Sequence, residues 1–275
     1  MTINKTNLQK RLSKISFEVT QNAKTELPFS GKYFKTPSRK LLDRVMIEYS
    51  QPNTHKGFHV GHLRNVALGD SLSRIFKYNG YKVVGVNYIG DIGAHIAKCL
   101  WFYINYNKEA PPKNFRGEWL GDLYTKAVKK LDEANNFLSK KYQEEISTIL
   151  KKLEFKDKGV TREWEITRDW SLQDFNEIYK WLDVKFDHIF YESEVDEQGK
   201  KIVIEGLKKG LFEQSQGAIG VNLDEEDLGF FMLLKSDGNT LYSTKDLALA
   251  KLKFEKFGVQ RSIYVVGTEQ TLHFK

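Results

Sequence analysis

Residues 45–72 read VMIEYSQPNTHKGFHVGHLRNVALGDSL, and the fold expected of the chain rests on this stretch. A short apolar run, Val45-Met46-Ile47, carries one carboxylate, Glu48, and stops at Gln51-Pro52-Asn53. The loop beyond holds Lys56, His59, Gly61 and His62, and a helix-period pattern begins at Leu63. A strand that runs through a basic, glycine-containing loop into a helix N-terminus is how an α/β protein receives an anionic phosphate chain. The helix dipole is positive at that end, and Lys56 adds a full charge. An acid just upstream of a basic loop predicts a bipolar pocket, with a cation at one end and phosphates at the other.

Outward from this stretch the alternation continues. Leu63, Val66, Ala67, Leu72, Ile75 and Phe76 keep to three- and four-residue steps, so a helix is expected over 62–79, stopped by Asn79-Gly80. The β-branched and aromatic run 81–89 reads as a second strand, and Gly90-Asp91-Ile92-Gly93 turns the chain into a helix over 94–106. Strand–helix–strand–helix at this length is a right-handed parallel unit whose ligand crevice lies at the carboxyl ends of the strands. Residues 107–190 change character after Pro111-Pro112. Charged helix-period sequence runs over 119–153 with a break at Asn135-Asn136, and a further helix is expected over 162–182. This segment reads as a helical insertion between two halves of the sheet, its lysines a solvated face. Alternation resumes with a helix over 196–209, strands at 218–223 and 230–234, and a helix over 245–257 capped by Thr244. A buried-type strand at 262–266 follows. The last residues, GTEQTLHFK, are helix-starting sequence without a stop, so the chain reads as incomplete at its C-terminus. Residues 1–40 are basic and weakly periodic, a lead-in with helix expected over 5–15.

Composition narrows the class. The 275 residues are 40% hydrophobic and 29% charged, as in an ordinary soluble globular protein. A net charge of +7 favours an anionic partner. No apolar run approaches the roughly 18 residues that span a bilayer, and the N-terminus has no apolar signal core, so a cytoplasmic location away from membranes is expected. The single cysteine, Cys99, excludes an internal disulfide framework and any Cys₄ or Cys₂His₂ zinc site; it reads as a small buried apolar side chain. Neither GxGxxG after a strand nor GxxxxGK[ST] occurs, which removes the main support for dehydrogenase and P-loop readings.

The chemistry concentrates at His59-Val60-Gly61-His62. Two imidazoles beside an anion chain donate hydrogen bonds most strongly where charge builds up in a transition state. Glycine between them removes a Cβ, so a flat base can lie against the backbone. If a carboxylate of the substrate attacks the α-phosphate itself, no nucleophilic side chain is needed, and orientation with charge stabilisation does the work. Competing readings are a transition-metal site using His55, His59 and His62, which lacks the carboxylate or cysteine usual in such sites, and histidines that only cap or are solvated. No protein-bound metal is therefore expected. His95 and His188 read as structural.

The segment EYSQPNTHKGFHVGHLRN resembles the signature of class I aminoacyl-tRNA synthetases, with HVGH in the place of their His-Ile-Gly-His motif, and is closest to the arginyl-tRNA synthetase family. GYKVVGVNYIGDIG, LGDLY at 120–124, WSLQDFNEIYKWLDVKFDHIFYESE, SQGAIGVNL, KSDGNTLYSTKDLALAK and YVVGTEQTLHFK follow in that family's order, so the resemblance covers most of 43–275. It implies an α/β fold, a Rossmann-like parallel sheet with a helical insertion. It also implies ATP-dependent ligation of L-arginine to tRNA(Arg) through arginyl-adenylate.

By position, the resemblance puts Glu48 and Asp246 against the guanidinium, with the Tyr242 hydroxyl beside it. Gln51, Asn53 and Gln270 would hold the α-amino and carboxylate end, with His62 near that end and the phosphates. Lys56, His59, Gly61 and His62 would receive ATP, and Lys56, His59 and His62 would serve catalysis. Mg²⁺ is implied as a counter-ion of ATP, and a monomer is expected. Gln51 stands where the family often has serine, Ile92 where tryptophan is usual, and Lys245 where arginine is common. The second signature loop (Lys-Met-Ser-Lys-Ser or a variant) and the helical anticodon-binding domain would follow Gln270; in members with a degenerate second loop, a lysine placed like Lys56 takes over its charge. Two other readings remain open. One is an arginine- and ATP-binding module, or an inactive fragment, without turnover; the other is a small-molecule nucleotidyltransferase of the same superfamily.

Overall fold

The computed structural model describes residues 43–226, 228–271 and 274; the helix expected over 5–15 lies outside them. The first strand, β1 (Arg44–Glu48), forms because Met46 and Ile47 are sealed from solvent on opposite faces of one sheet. That sheet has four strands in the order β3-β2-β1-β7, all parallel: β2 is Lys82–Ile89, β3 His188–Tyr191 and β7 Arg261–Tyr264. Ile47 lies opposite Gly85 on one side and Ile263 on the other.

Helices close both faces of the sheet. On one side α1 (Val60–Tyr78) packs through Val66 onto Val45, Ile47 and Tyr49, together with Phe175 and Tyr179 of a helix from the insertion. Gly69 is required at this contact, because a Cβ there would enter the Tyr49 ring. On the other side Met46, Val86 and Phe190 meet Val195 of α6 (Glu192–Lys208) and Ala248 and Leu249 of α7 (Tyr242–Phe257). Each such fully buried side chain contributes roughly 1.5–3 kcal/mol.

After α2 (Ala94–Asn105) come three helices, α3 (Arg116–Asp132), α4 (Asn136–Glu154) and α5 (Lys158–Trp181), with Asn135 capping α4 and Asp157 capping α5. They hold their own core around Leu100, Trp101, Ala127, Ile146 and Val160. Cys99 is buried on α2 and donates to the Leu120 carbonyl, and burial pushes its thiol up to about 12.

Several local expectations need correction. The helix after the first loop starts at Val60, not 62, because His59 is its N-cap. Its stop at Asn79 and Gly80, the latter with φ of 91°, is as expected. Strand β3 falls inside the stretch read as helical insertion: His188–Tyr191 is too short for a periodic signal and is a strand by virtue of pairing with Val86–Ile89. The following helix starts at Glu192, not 196. Strands β5 (Ala218–Leu223) and β6 (Gly229–Leu234) do not extend the parallel sheet. With β4 (Glu213–Ser215) they form a separate antiparallel sheet. Thr244 is not the N-cap residue: α7 begins at Tyr242 after Leu241, and Thr244, three residues past that cap, accepts from the Leu241 N–H at 3.4 Å while its hydroxyl donates to the Leu233 carbonyl, tying α7 to β6.

Candidate active site

Every parallel strand delivers polar groups at its carboxyl end. Glu48 closes β1, Asp91 follows β2, Glu192 follows β3, and the turn carrying Gln270 follows β7. Glu48, Asp91 and Glu192 are all buried. Each has an internal cation: Lys253 for Glu48, Arg168 for Asp91 at 2.8 Å, and Lys245 for Glu192 at 2.8 Å. Such pairing is what lets a carboxylate stay in a dry position.

The acidic end converges on one side chain. Burial, then the charges of Glu192, Asp246, Glu48 and Asp91, drive the Tyr88 phenol far above its ordinary range. The Tyr88 hydroxyl is itself buried and lacks a hydrogen-bond partner among the described residues. Glu48 and Asp246, 198 positions apart in the chain, therefore act on the same hydroxyl. Tyr242 is exposed at the first turn of α7, beside Glu192 and Tyr124, and burial of its phenol is the main reason that its pKa is raised.

The loop after β1 is built rather than slack. Ser50 and Gln51 both take the left-handed conformation, with φ of 80° and 53°. The Gln51 N–H donates to Asn87 Oδ1 at 3.0 Å, Asn87 Nδ2 donates to the Tyr179 hydroxyl at 3.0 Å, and Ser50 Oγ meets that hydroxyl at 2.8 Å. Asn53 bridges to Gly90, where a Cβ would strike its side-chain oxygen. His55, also left-handed at φ 61°, is buried. It is held by its N–H on Ser171 Oγ at 3.0 Å and by ring contacts to Thr54 (3.1 Å) and Thr167 (2.7 Å). Burial lowers its pKa to about 3, so it is neutral.

The basic end follows at once. Lys56 Nζ lies 5.1 Å from the Tyr124 ring centroid, and burial and then Lys98 lower its pKa. Gly121 of α3 backs this loop, a Cβ there coming within 2.6 Å of Gly57 N. His59 Nδ1 accepts from the Gly61 N–H at 3.1 Å, and the His59 N–H donates to His62 Nδ1 at 3.2 Å. Burial, then His59 and Lys56, bring His62 down to about 4. No acid stands in the first turn of α1, so the end of the helix dipole is uncompensated.

Gln270 sits exposed on the 3₁₀ turn Thr268–Gln270, beyond the carboxyl end of β7. His95, read as structural, is buried near Lys56 and Lys245, and burial, then those charges, lower its pKa to about 3. Nothing in the local sequence around Tyr88 or Lys253 marks either as a site residue. For Glu192 a signal existed, since an apolar run followed by an acid (HIFYE) repeats the grammar of VMIE. Among the described residues no group of three or more metal-ligating side chains forms.

Fold and site together define a doubly wound α/β domain with a parallel sheet. The family described as tRNA synthetases class I (R), catalytic domain, matches residues 27–275, and the chain belongs to it. An arginine–tRNA ligase of Bdellovibrio bacteriovorus is 46% identical over 246 residues, spanning 89% of this chain and 42% of its own length. One from Parabacteroides distasonis is 40% identical, spanning 84% of this chain and 41% of its own length. The crystal structure of arginyl-tRNA synthetase from Plasmodium falciparum superposes with a TM-score of 0.68 over 99% of this chain and 45% of that one. At 23% identity it speaks to the fold alone. The Thermus thermophilus arginyl-tRNA synthetase gives a TM-score of 0.62 at 26% identity, over 80% of this chain and 37% of that one. This chain thus spans less than half the length of each of these relatives.

Proposed function

We propose that this chain is the adenylating portion of an arginine–tRNA ligase. The observation that carries the reading is the polarity of one sheet edge: carboxylates gather on Tyr88, and Lys56 with a histidine-capped helix start stands at the end of the same loop. Arginine places its guanidinium at the acidic end, where Glu48, Asp246 and Tyr242 face it and Glu192 adds negative potential. A planar cation with five donors suits carboxylates set around it; lysine would leave acceptors unmatched. Gln51, Asn53 and Gln270 receive the α-amino and carboxylate end. The arginine carboxylate attacks the α-phosphorus of ATP, pyrophosphate leaves, and arginyl-adenylate remains.

Lys56 and the Nε2–H donors of His59 and His62 stabilise charge on the phosphates as it develops, which is where such donors contribute most. Gly61 leaves room for the base. Mg²⁺ accompanies ATP as its counter-ion. Transfer of the arginyl group to the terminal ribose of tRNA(Arg) completes the reaction of the whole ligase, working as a cytoplasmic monomer. No described helix is long and apolar enough to cross a membrane.

Arginine-dependent ATP–pyrophosphate exchange, run with and without tRNA(Arg), tests this, alongside calorimetric binding of arginine, lysine and ATP. Arginine binding that lysine does not match is the expected result. Equal binding of lysine, or none of arginine, overturns the assignment. Binding without exchange in either condition points to a module that holds both ligands without turnover.

A further inference from the structure

We infer that His55 is a positioning residue for Lys56: gripped by the helical insertion, it fixes the direction in which that lysine is presented to the phosphates of ATP. The inference rests on the ATP reading above and adds to it a residue that touches no substrate.

The His55 side chain is wholly buried against α5, where Thr167 and Ser171 stand one helical turn apart. Thr167 Oγ1 donates along its own helix to the Glu163 carbonyl at 2.7 Å. Toward His55 it can therefore only accept, so Nε2 of the imidazole carries the proton. Nδ1 is left to accept from the Thr54 hydroxyl at 3.1 Å. With both ring nitrogens taken, His55 has no lone pair to offer a metal alongside His59 and His62. Its backbone N–H is committed as well, donating to Ser171 Oγ at 3.0 Å. The left-handed backbone of His55, at φ 61°, costs about 1–3 kcal/mol and persists only where neighbours impose it. Thr167 and Ser171 do so here.

Lys56 is bounded on its other side by α3. Gly57 lies against Gly121, where a Cβ would come within 2.6 Å of Gly57 N, and Tyr124, one turn further on, sets its ring 5.1 Å from Lys56 Nζ. The two helices are themselves joined. Asp174 Oδ2 of α5 accepts from the Gly117 and Glu118 N–H groups at the start of α3, at 2.7 and 3.2 Å. A Cβ on Gly117 would come within 2.9 Å of Ser171 Cα, so the helices are in backbone contact. One pair of interlocked helices thus holds the residue before Lys56 and the residue after it. Lysine is a point charge on a flexible stem, and holding its backbone on both sides is what limits the space its ammonium sweeps. A charge that must meet a phosphate oxygen gains from that restriction.

The test compares the full chain with Thr167→Val, Thr167→Ser, Lys56→Ala and the double variant of Thr167→Val with Lys56→Ala. Calorimetry reads ATP and arginine affinity, and thermal melting reads stability. Thr167→Val is expected to weaken ATP about three- to tenfold and to change arginine less than about twofold. Thr167→Ser keeps the hydroxyl and should restore ATP binding. In the Lys56→Ala background, Thr167→Val should cost ATP less than about twofold, because the residue it acts through is gone. A lower melting temperature with ATP affinity unchanged would make His55 a structural anchor only and overturn the inference. Equal loss in both backgrounds, or of both ligands, would overturn it too. Should Thr167→Val not fold, Ser171→Ala, which removes the acceptor of the His55 N–H, is held to the same expectations. A wild-type chain that binds no ATP overturns the ATP reading and this inference together. Wild-type ATP binding that Lys56→Ala leaves intact sinks the inference alone.

Discussion

The rings of His59 and His62 stack at the mouth of α1, with centroids 3.8 Å apart and planes inclined by 26°. Backbone N–H groups occupy Nδ1 of both, which places the remaining proton of each neutral ring on Nε2. The HVGH sequence therefore builds its own helix cap and, by the same hydrogen bonds, selects two outward donors.

His62 is expected to stay neutral when ATP binds. Burial, then His59 and Lys56, hold it near 4, and a proton on Nδ1 would break the hydrogen bond that this atom accepts from the His59 N–H. Calorimetry at pH 5.5–6 in buffers of different ionisation enthalpy is expected to give the same proton count for the wild type and His62→Gln. An uptake that His62→Gln abolishes would show that the ring charges and the cap breaks.

The two ends of the pocket are expected to separate by mutation. Asp246→Ala should remove measurable arginine binding and change ATP affinity less than threefold. Lys56→Ala should do the reverse, weakening ATP by about tenfold or more for the loss of one charged contact. Equal loss of both ligands in either variant would contradict the division of the site.

Acid stability should carry the mark of His55. Its pKa is about 3 in the folded chain against 6.5 ordinarily. Between those values the unfolded chain takes up a proton that the folded chain refuses. Stability is thus full above pH 6.5 and falls as pH drops toward 3, by about 1.4 kcal/mol per pH unit for each such group. His95 acts in the same direction. Asparagine tolerates the left-handed backbone at position 55, so His55→Asn is expected to flatten the acid limb of urea-denaturation stability by one proton, while costing about 1–3 kcal/mol at pH 7 for lost hydrogen bonds.

Gly121→Ala tests the role of the helical insertion in holding the phosphate loop. The added methyl meets the backbone of Gly57, which cannot yield as a flexible side chain would. A loss of about 1–3 kcal/mol is expected, with a raised KM for ATP and an unchanged KM for arginine. Thermal melting and pyrophosphate exchange read the two effects separately.

Much of this protein is written locally. The strand at 44–48, the basic loop and the helix after it follow from a short apolar run, a Pro-Asn stop and heptad-like spacing, none of which needs a distant partner. The helices of the insertion, with Asn135 and Asp157 as caps, are equally self-contained. His188–Tyr191 carries no strand signal of its own, because four residues hold no period; pairing with β2 makes them a strand. Likewise β5 and β6 read as strands correctly, but nothing within them says which sheet they join.

The sequence alone determined the parallel α/β plan and the family, since these depend on side-chain type and on spacing along one segment. Only the tertiary structure decided which charges meet. Lys253 on Glu48, Lys245 on Glu192 and Arg168 on Asp91 join residues 205, 53 and 77 positions apart. A buried carboxylate accepts whatever cation the fold brings to it, and no local pattern specifies which one that will be.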